Sequence, residues 1–233
     1  MVKYIHSTDT HNTRAAEIVL PILFDILGTP PKSVVDVGCG LGTWLKVCNE
    51  LGIEKIHGFE GHHLDVSKLV IDPENISLHD LEKPIQVDKK FDLVISLEVA
   101  EHLDFNSSDI FVKSLTELGD VVLFSAAIKG QGGQNHINEQ DPNFWRLKFK
   151  EYEYDCFDLI RGKIWDNPKV DYWYSQNVFL YAKKGKLPFE PSTEAHLYIH
   201  PVLFEQVLTQ RNRLSKMSGY FIWEKIKKLF RKI

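Results

Sequence analysis

VVDVGCGLGTW, residues 34–44, passes from a β-branched apolar run, through a turn with glycine at 38, 40 and 42, into residues spaced like a helix. A strand, a glycine turn and a helix in that order form a ligand loop of the phosphate or nucleotide type. Glycine has no Cβ, so it permits a tight turn and lets a ligand lie against the backbone, while the helix behind offers free N–H groups to an anion. A dinucleotide fingerprint would need glycine at position 43, which is Thr43, and the Gly-Lys-Ser/Thr of a P-loop is absent. Taken alone, a turn of this kind can also be purely structural.

The same rhythm continues on both sides. Residues 13–27, TRAAEIVLPILFDIL, carry apolar residues at helical spacing and are stopped by GTPPK. TWLKVCNELG predicts the helix after the turn, ended by Gly52. KIHGFE, ISLHDL, FDLVISL and DVVLFSAA predict four further strands, with a helix over SSDIFVKSLTEL. Strands and helices that alternate imply an α/β fold, a mostly parallel sheet with helices on both faces and right-handed crossovers. After Ala127 come a polar, glycine-rich loop and an aromatic-dense stretch with two late strands, about 154–160 and 177–182. LPFEPS reads as a linker, giving a domain over 1–186 and a helical extension over 187–233.

Composition sets the outer limits. With 43% apolar and 26% charged residues, the 233-residue chain is an ordinary globular protein. Its three cysteines lack metal-finger or redox-pair spacing, and no apolar segment has the length of a leader or a span, so a cytoplasmic location is expected. The net charge of −4 hides a basic tail: eight Lys or Arg against one Glu from Arg211 onward leave residues 1–210 with 20 basic and 31 acidic groups. Such a body repels a phosphate backbone and disfavours nucleic acid as a partner.

The spacing Asp36-x-Gly38-x-Gly40-x-Gly42 resembles motif I of the class I S-adenosylmethionine (SAM) methyltransferases, and the resemblance extends over about residues 30–183. It implies a Rossmann-like fold with a seven-stranded sheet, and SAM as cofactor. In such a site Gly38, Cys39, Gly40 and Gly42 would hold the methionine end. Glu60 and Gly61, at the end of the second strand, would meet the ribose hydroxyls, and Asp80 and Leu81 the adenine. Leu97 would lie near the methyl group, and Asp36 would bond either the glycine loop or SAM.

SLEVAEHL, residues 96–103, adds chemistry: on a helix Glu98, Glu101 and His102 would share one face. His102 is a candidate base for removing a hydroxyl proton, with Glu101 and His136 as further catalytic candidates. Glu-x-x-Glu-His also resembles the metal motif of small-RNA 3′-end 2′-O-methyltransferases and of ubiquinone O-methyltransferases. That resemblance implies a divalent metal ion on Glu98, Glu101, His102 and His136; the same acids can equally serve only to start a helix. The loop GQGGQNHINEQDPNFW is similar to loops of bacterial methyltransferases of cell-surface polysaccharide biosynthesis, which implies a small-molecule or glycan acceptor. The competing expectations are a metal-dependent RNA 2′-O-methyltransferase and a non-catalytic SAM or nucleotide binder. His11 and Asn12 are candidates for a lid or for a helix cap, and the aromatic residues Phe144, Trp145, Trp165, Tyr172, Trp173 and Tyr174 for stacking or core. GYFIWEKIKKLFRKI, residues 219–233, has the pattern of a basic amphipathic helix suited to an anionic membrane surface or to a protein partner.

Overall fold

The computed structural model describes residues 11–230, with side chains as far as Ser215. Helix α1, Arg14–Leu27, buries Ala16, Leu20 and Leu23 on one stripe and ends where Gly28 turns left-handed, with φ 75°. Strand β1 is Ser33–Val37, and the glycine turn delivers the chain to α2, Thr43–Glu50. Strands β2, Lys55–Glu60, β3, Ile76–Leu78, and β4, Leu93–Leu97, follow, then α3, Ser108–Leu118, and β5, Val121–Ser125. The remaining elements are α4, Pro142–Glu151, β6, Tyr154–Phe157, α5, Arg161–Ile164, α6, Tyr172–Asn177, β7, Phe179–Lys183, and α7, Pro201–Phe230.

The seven strands are ordered β3-β2-β1-β4-β5-β7-β6. Pairs among the first five are parallel, and β7 runs antiparallel to both neighbours. Alternate residues of the central strands feed two cores. Val34, Leu93 and Ile95 pack with α1 and α2, whereas Val35, Val37 and Val94 pack with α3 and α4. Burial on both faces explains why these strands read as continuous apolar runs. Trp145 lies in the second core against Phe124 and Phe144, so at least this aromatic is structural.

The chain moves outward from β1 to β3 and returns beside β1 as β4. The strand order therefore reverses between β1 and β4, which opens a crevice at their carboxyl ends. Several expected elements differ from the sequence reading: the late strands expected at about 154–160 and 177–182 run over Tyr154–Phe157 and Phe179–Lys183. ISLHDL is extended only over Ile76–Leu78, and Glu98–His102 is not one helical face: only Ala100–His102 make a 3-10 turn. The reason is Glu98, whose left-handed backbone, φ 55°, turns the chain sharply off β4.

The described residues fall into two compact units, 11–197 and 198–230. Among the described residues no helix is long and apolar enough to cross a membrane. The side chains of the basic stretch from Lys216 onward lie outside the described residues.

Candidate functional site

At the end of β1 the turn takes left-handed φ values at Gly38, Gly40 and Gly42, of 81°, 53° and 81°. A Cβ on Gly38 would lie 2.3 Å from Val99 Cγ2, so the glycine lets the ends of β1 and β4 close together. A Cβ on Gly42 would likewise strike Ile71, at 2.7 Å. The Gly38 and Cys39 amides donate to the Phe59 carbonyl, at 2.8 and 3.2 Å, which ties the turn to β2. Burial, with the nearby Asp36 and Glu60 carboxylates, holds the Cys39 thiol well above its ordinary pKa, so it is no nucleophile.

Glu60 binds this turn directly. Its Oε2 accepts from the Gly40 amide at 2.7 Å and its Oε1 from the Gly61 amide at 2.8 Å. Each oxygen keeps a further lone pair, which a ribose hydroxyl can use. Burial pushes the Glu60 pKa up, and the two amides pull it back. The backbone contact considered for Asp36 is thus made by Glu60. Asp36 is 3% exposed, and burial followed by repulsion from Glu60 raises its pKa well above the carboxylate range. Asp80 is exposed and receives the Glu82 amide at 3.1 Å, Leu81 beside it is buried, and Leu97 closes the end of β4. Glycines at the turn, an acid on β2 and an apolar residue with an acid after β3 form a cradle that fits SAM.

The second half of the crevice separates two carboxyl groups that look equivalent in sequence. Glu98 is satisfied: Asn177 Nδ2 donates to both its oxygens, at 3.1 and 3.3 Å, and Gln131 Nε2 to Oε2 at 3.0 Å. Gln131 Oε1 in turn accepts from Asn177 and Gln176, at 2.9 and 3.1 Å. Burial raises the Glu98 pKa and these donors lower it. Glu101 is wholly buried, and neither carboxyl oxygen makes a hydrogen bond. Its pKa is raised well above the carboxylate range by burial and then by Glu98, while the Glu101 and Ala127 amides, outside hydrogen-bond geometry, pull the other way. The Glu101 backbone carbonyl accepts from Ile137 and Asn138, which brings the loop after β5 over the 3-10 turn.

Potential ligand atoms of Glu101, His102 and His136 all lie within 4.8 Å of one another. The two imidazoles meet edge to face with centroids 4.8 Å apart. Burial, then the neighbouring His136, lowers the His102 pKa to about 4, so its ring is neutral at physiological pH and has a lone pair. An oxygen and two imidazoles, with a buried carboxyl that lacks a partner, form a donor set that fits a divalent ion. Glu98 stands beside this trio with its oxygens occupied by amides.

Sequence reasoning missed four residues here. Gln131, Gln176 and Asn177 surround Glu98, and Glu139 holds His136, its Oε1 lying 2.9 Å from Nδ1. Burial works to raise the Glu139 pKa, but the bond from His136 and the Gly130 and Gly132 amides bring it below the usual value. The only signal was local: Glu139 follows His136 by three positions in the loop already singled out. Ahead of α1, whose N-cap is Thr13, Asn12 Oδ1 accepts from the Arg14 amide at 3.0 Å.

Comparison with known proteins shows the family and the fold. The family model for a methyltransferase domain matches residues 10–158. A mitochondrial ubiquinone biosynthesis O-methyltransferase from Dictyostelium discoideum is 34% identical over an alignment of 88 residues that covers 31% of this chain and 27% of that protein. The chain thus matches about a quarter of the length of that curated relative. The methyltransferase domain of bacterial CtHen1-C superposes with a TM-score of 0.54 at 20% identity, covering 75% of this chain and 99% of that one. The sugar N-methyltransferase KedS8 from Streptoalloteichus superposes with a TM-score of 0.53 at 13% identity, over 73% and 87% of the two chains. At these identities the superpositions speak for the fold.

Proposed function

We infer, from the premise that this chain belongs to the methyltransferase domain family and is a SAM-dependent methyltransferase, that it methylates a hydroxyl of a small sugar-like acceptor with help from a divalent ion. The observation that carries this reading is the Glu101 carboxyl, wholly buried, without a hydrogen bond and grouped with His102 and His136. A buried carboxyl left unsatisfied costs the fold free energy, which an ion arriving there would offset.

The roles follow from position. The glycine turn and Glu60 hold the donor, with Asp80 and Leu81 at its base. SAM supplies an activated methyl group for in-line displacement, and the crevice aligns the acceptor oxygen with it. Glu101, His102 and His136 would hold the ion, which when bound makes a hydroxyl more acidic. Glu98, fixed by amides, borders the acceptor, and the Gln131 and Asn177 side chains suit hydroxyl recognition. The acidic body, with 31 acidic against 20 basic groups over residues 1–210, favours a sugar or glycan precursor over RNA.

The test is incubation with labelled SAM and separate pools of nucleotide sugars, glycans and RNA, with and without chelator. Label in the sugar pools, lost with chelator and restored by Mg²⁺ or Mn²⁺, is the expected result. Label confined to RNA would move the acceptor to a ribose. Indifference to chelator would remove the ion and leave an imidazole as base, and label nowhere would leave a SAM-binding protein without this acceptor class.

We also propose a peripheral location on an anionic membrane. On α7, Phe204, Val207 and Leu214 are 54%, 44% and 59% exposed and recur at helical spacing, and the sequence from Arg211 has eight basic residues against one acidic.

A further inference from the structure

His136 is held from two sides. At one edge its Nδ1 lies 2.9 Å from Glu139 Oε1, and that carboxylate is itself pinned by two backbone donors, the Gly132 amide to Oε1 at 2.7 Å and the Gly130 amide to Oε2 at 2.8 Å. On the other side the ring rests on Gly133, where a Cβ would lie 2.2 Å from Nε2. Gly130 and Gly132 adopt φ values of 86° and 70°, which bring both amides to the same carboxylate. Little of the assembly is open to water, with side-chain exposures of 11% for His136 and 18% for Glu139.

We propose that Glu139 is a positioning residue: it fixes a hydrogen of the His136 ring on Nδ1 and so turns Nε2 toward the group formed with Glu101 and His102. An ionised carboxylate can only accept hydrogen bonds, so the imidazole nitrogen facing it must carry a hydrogen; of the two neutral tautomers only the one with a bare Nε2 meets that condition. Carboxylates commonly orient metal-bound histidines in this way, and their loss typically weakens ion binding 10–100-fold. The inference rests on the proposed function for what Nε2 does, but not for which tautomer is present.

The experiment uses the full chain labelled with ¹⁵N-histidine, with long-range proton–nitrogen spectra to read the tautomer and Mn²⁺ calorimetry to read ion affinity. The His136 signal is identified by its loss in His136→Gln. The wild type is expected to show hydrogen on Nδ1. In Glu139→Gln, whose amide can donate or accept, the tautomers should mix and Mn²⁺ affinity should fall about 10–100-fold, with S-adenosylhomocysteine affinity unchanged. A wild-type ring with hydrogen on Nε2 overturns the proposal, and so does a Glu139→Gln variant with both tautomer and ion affinity unaltered. Should the wild type show the Nδ1–H tautomer but bind no Mn²⁺, the ion falls from the proposed function while the positioning role stands. If Glu139→Gln does not fold, the wild-type spectrum alone decides.

Discussion

At the scale of single residues, the site's acids differ mainly in who neutralises them. Glu60 has backbone donors and Glu98 has amide side chains, whereas burial works against Asp36 with Glu60 alongside it. Because the folded chain raises the Asp36 pKa above its ordinary 3.8, the folded state keeps a proton that the unfolded chain has already released. Its stabilising contribution is therefore complete below about pH 4 and is lost as pH rises toward the folded value. Asp36→Asn cannot ionise, so its stability relative to wild type should improve as pH rises above about 4, until the folded wild type also ionises, and show no trend below that. Urea unfolding at a series of pH values measures this, and a difference that stays flat with pH would mean that Asp36 is not strained by its charge. Asn177→Asp acts in the opposite sense, since it exchanges a donor for a second carboxylate beside Glu98. It should cost about 1–3 kcal/mol at pH 7 through the lost hydrogen bonds, and part of that loss should return as the pH is lowered and one of the pair takes a proton. A cost independent of pH would place Glu98 outside this pairing.

At the scale of elements, the glycine turn does most of the positioning, because it sets the distance between the ends of β1 and β4. Gly38→Ala meets two obstacles, the left-handed φ of 81° and the Val99 side chain at 2.3 Å. The first costs about 1–2 kcal/mol for any L-residue, and the second is eased if Val99 is shortened, which removes both Cγ atoms and leaves its Cβ at 3.1 Å. Gly38→Ala should therefore lower stability, and adding Val99→Ala should recover most of the steric part but leave about 1–2 kcal/mol of backbone strain. Calorimetric binding of S-adenosylhomocysteine should weaken in Gly38→Ala, since the ligand is to lie against the same turn. Thermal melts of the two variants check the first half; a double variant less stable than Gly38→Ala would show that Val99 is not the obstacle. The strand, turn and helix at 33–50 were legible because period, glycine and cap all lie within a few positions of one another. The acceptor side was only half legible. The residue types in SLEVAEHL pointed to Glu101 and His102, but nothing in a glutamate announces a left-handed backbone, so Glu98 was placed on a helix that the chain does not form there. Its partner Asn177 lies 79 positions away and reaches it only because β7 inserts between β5 and β6. Such pairing depends on tertiary closure, which periodicity does not encode.

At the scale of the whole molecule, charge is distributed unevenly along the chain. The first 210 residues hold an excess of acids, and the last 23 hold eight basic groups against one acid. An anionic lipid surface would repel the former and attract the latter, each basic group near such a surface adding about 1 kcal/mol. Apolar residues on α7 give that attraction a means of insertion: Phe204, Val207 and Leu214 are exposed and lie near one face at helical spacing. Electrostatic attraction and apolar burial differ in their response to salt, since charge is screened within about 8 Å at physiological ionic strength and apolar contact is not. The full chain should co-sediment with vesicles containing phosphatidylserine, less with neutral vesicles, and less again with the anionic ones at high salt. Removal of residues 212–233 should abolish the difference between anionic and neutral vesicles while S-adenosylhomocysteine binding by the remaining chain is retained. Equal sedimentation with and without those residues would reject the membrane as partner. If the full chain instead avoids vesicles and sediments as a dimer that the truncation converts to a monomer, the exposed face of α7 is an interface between copies.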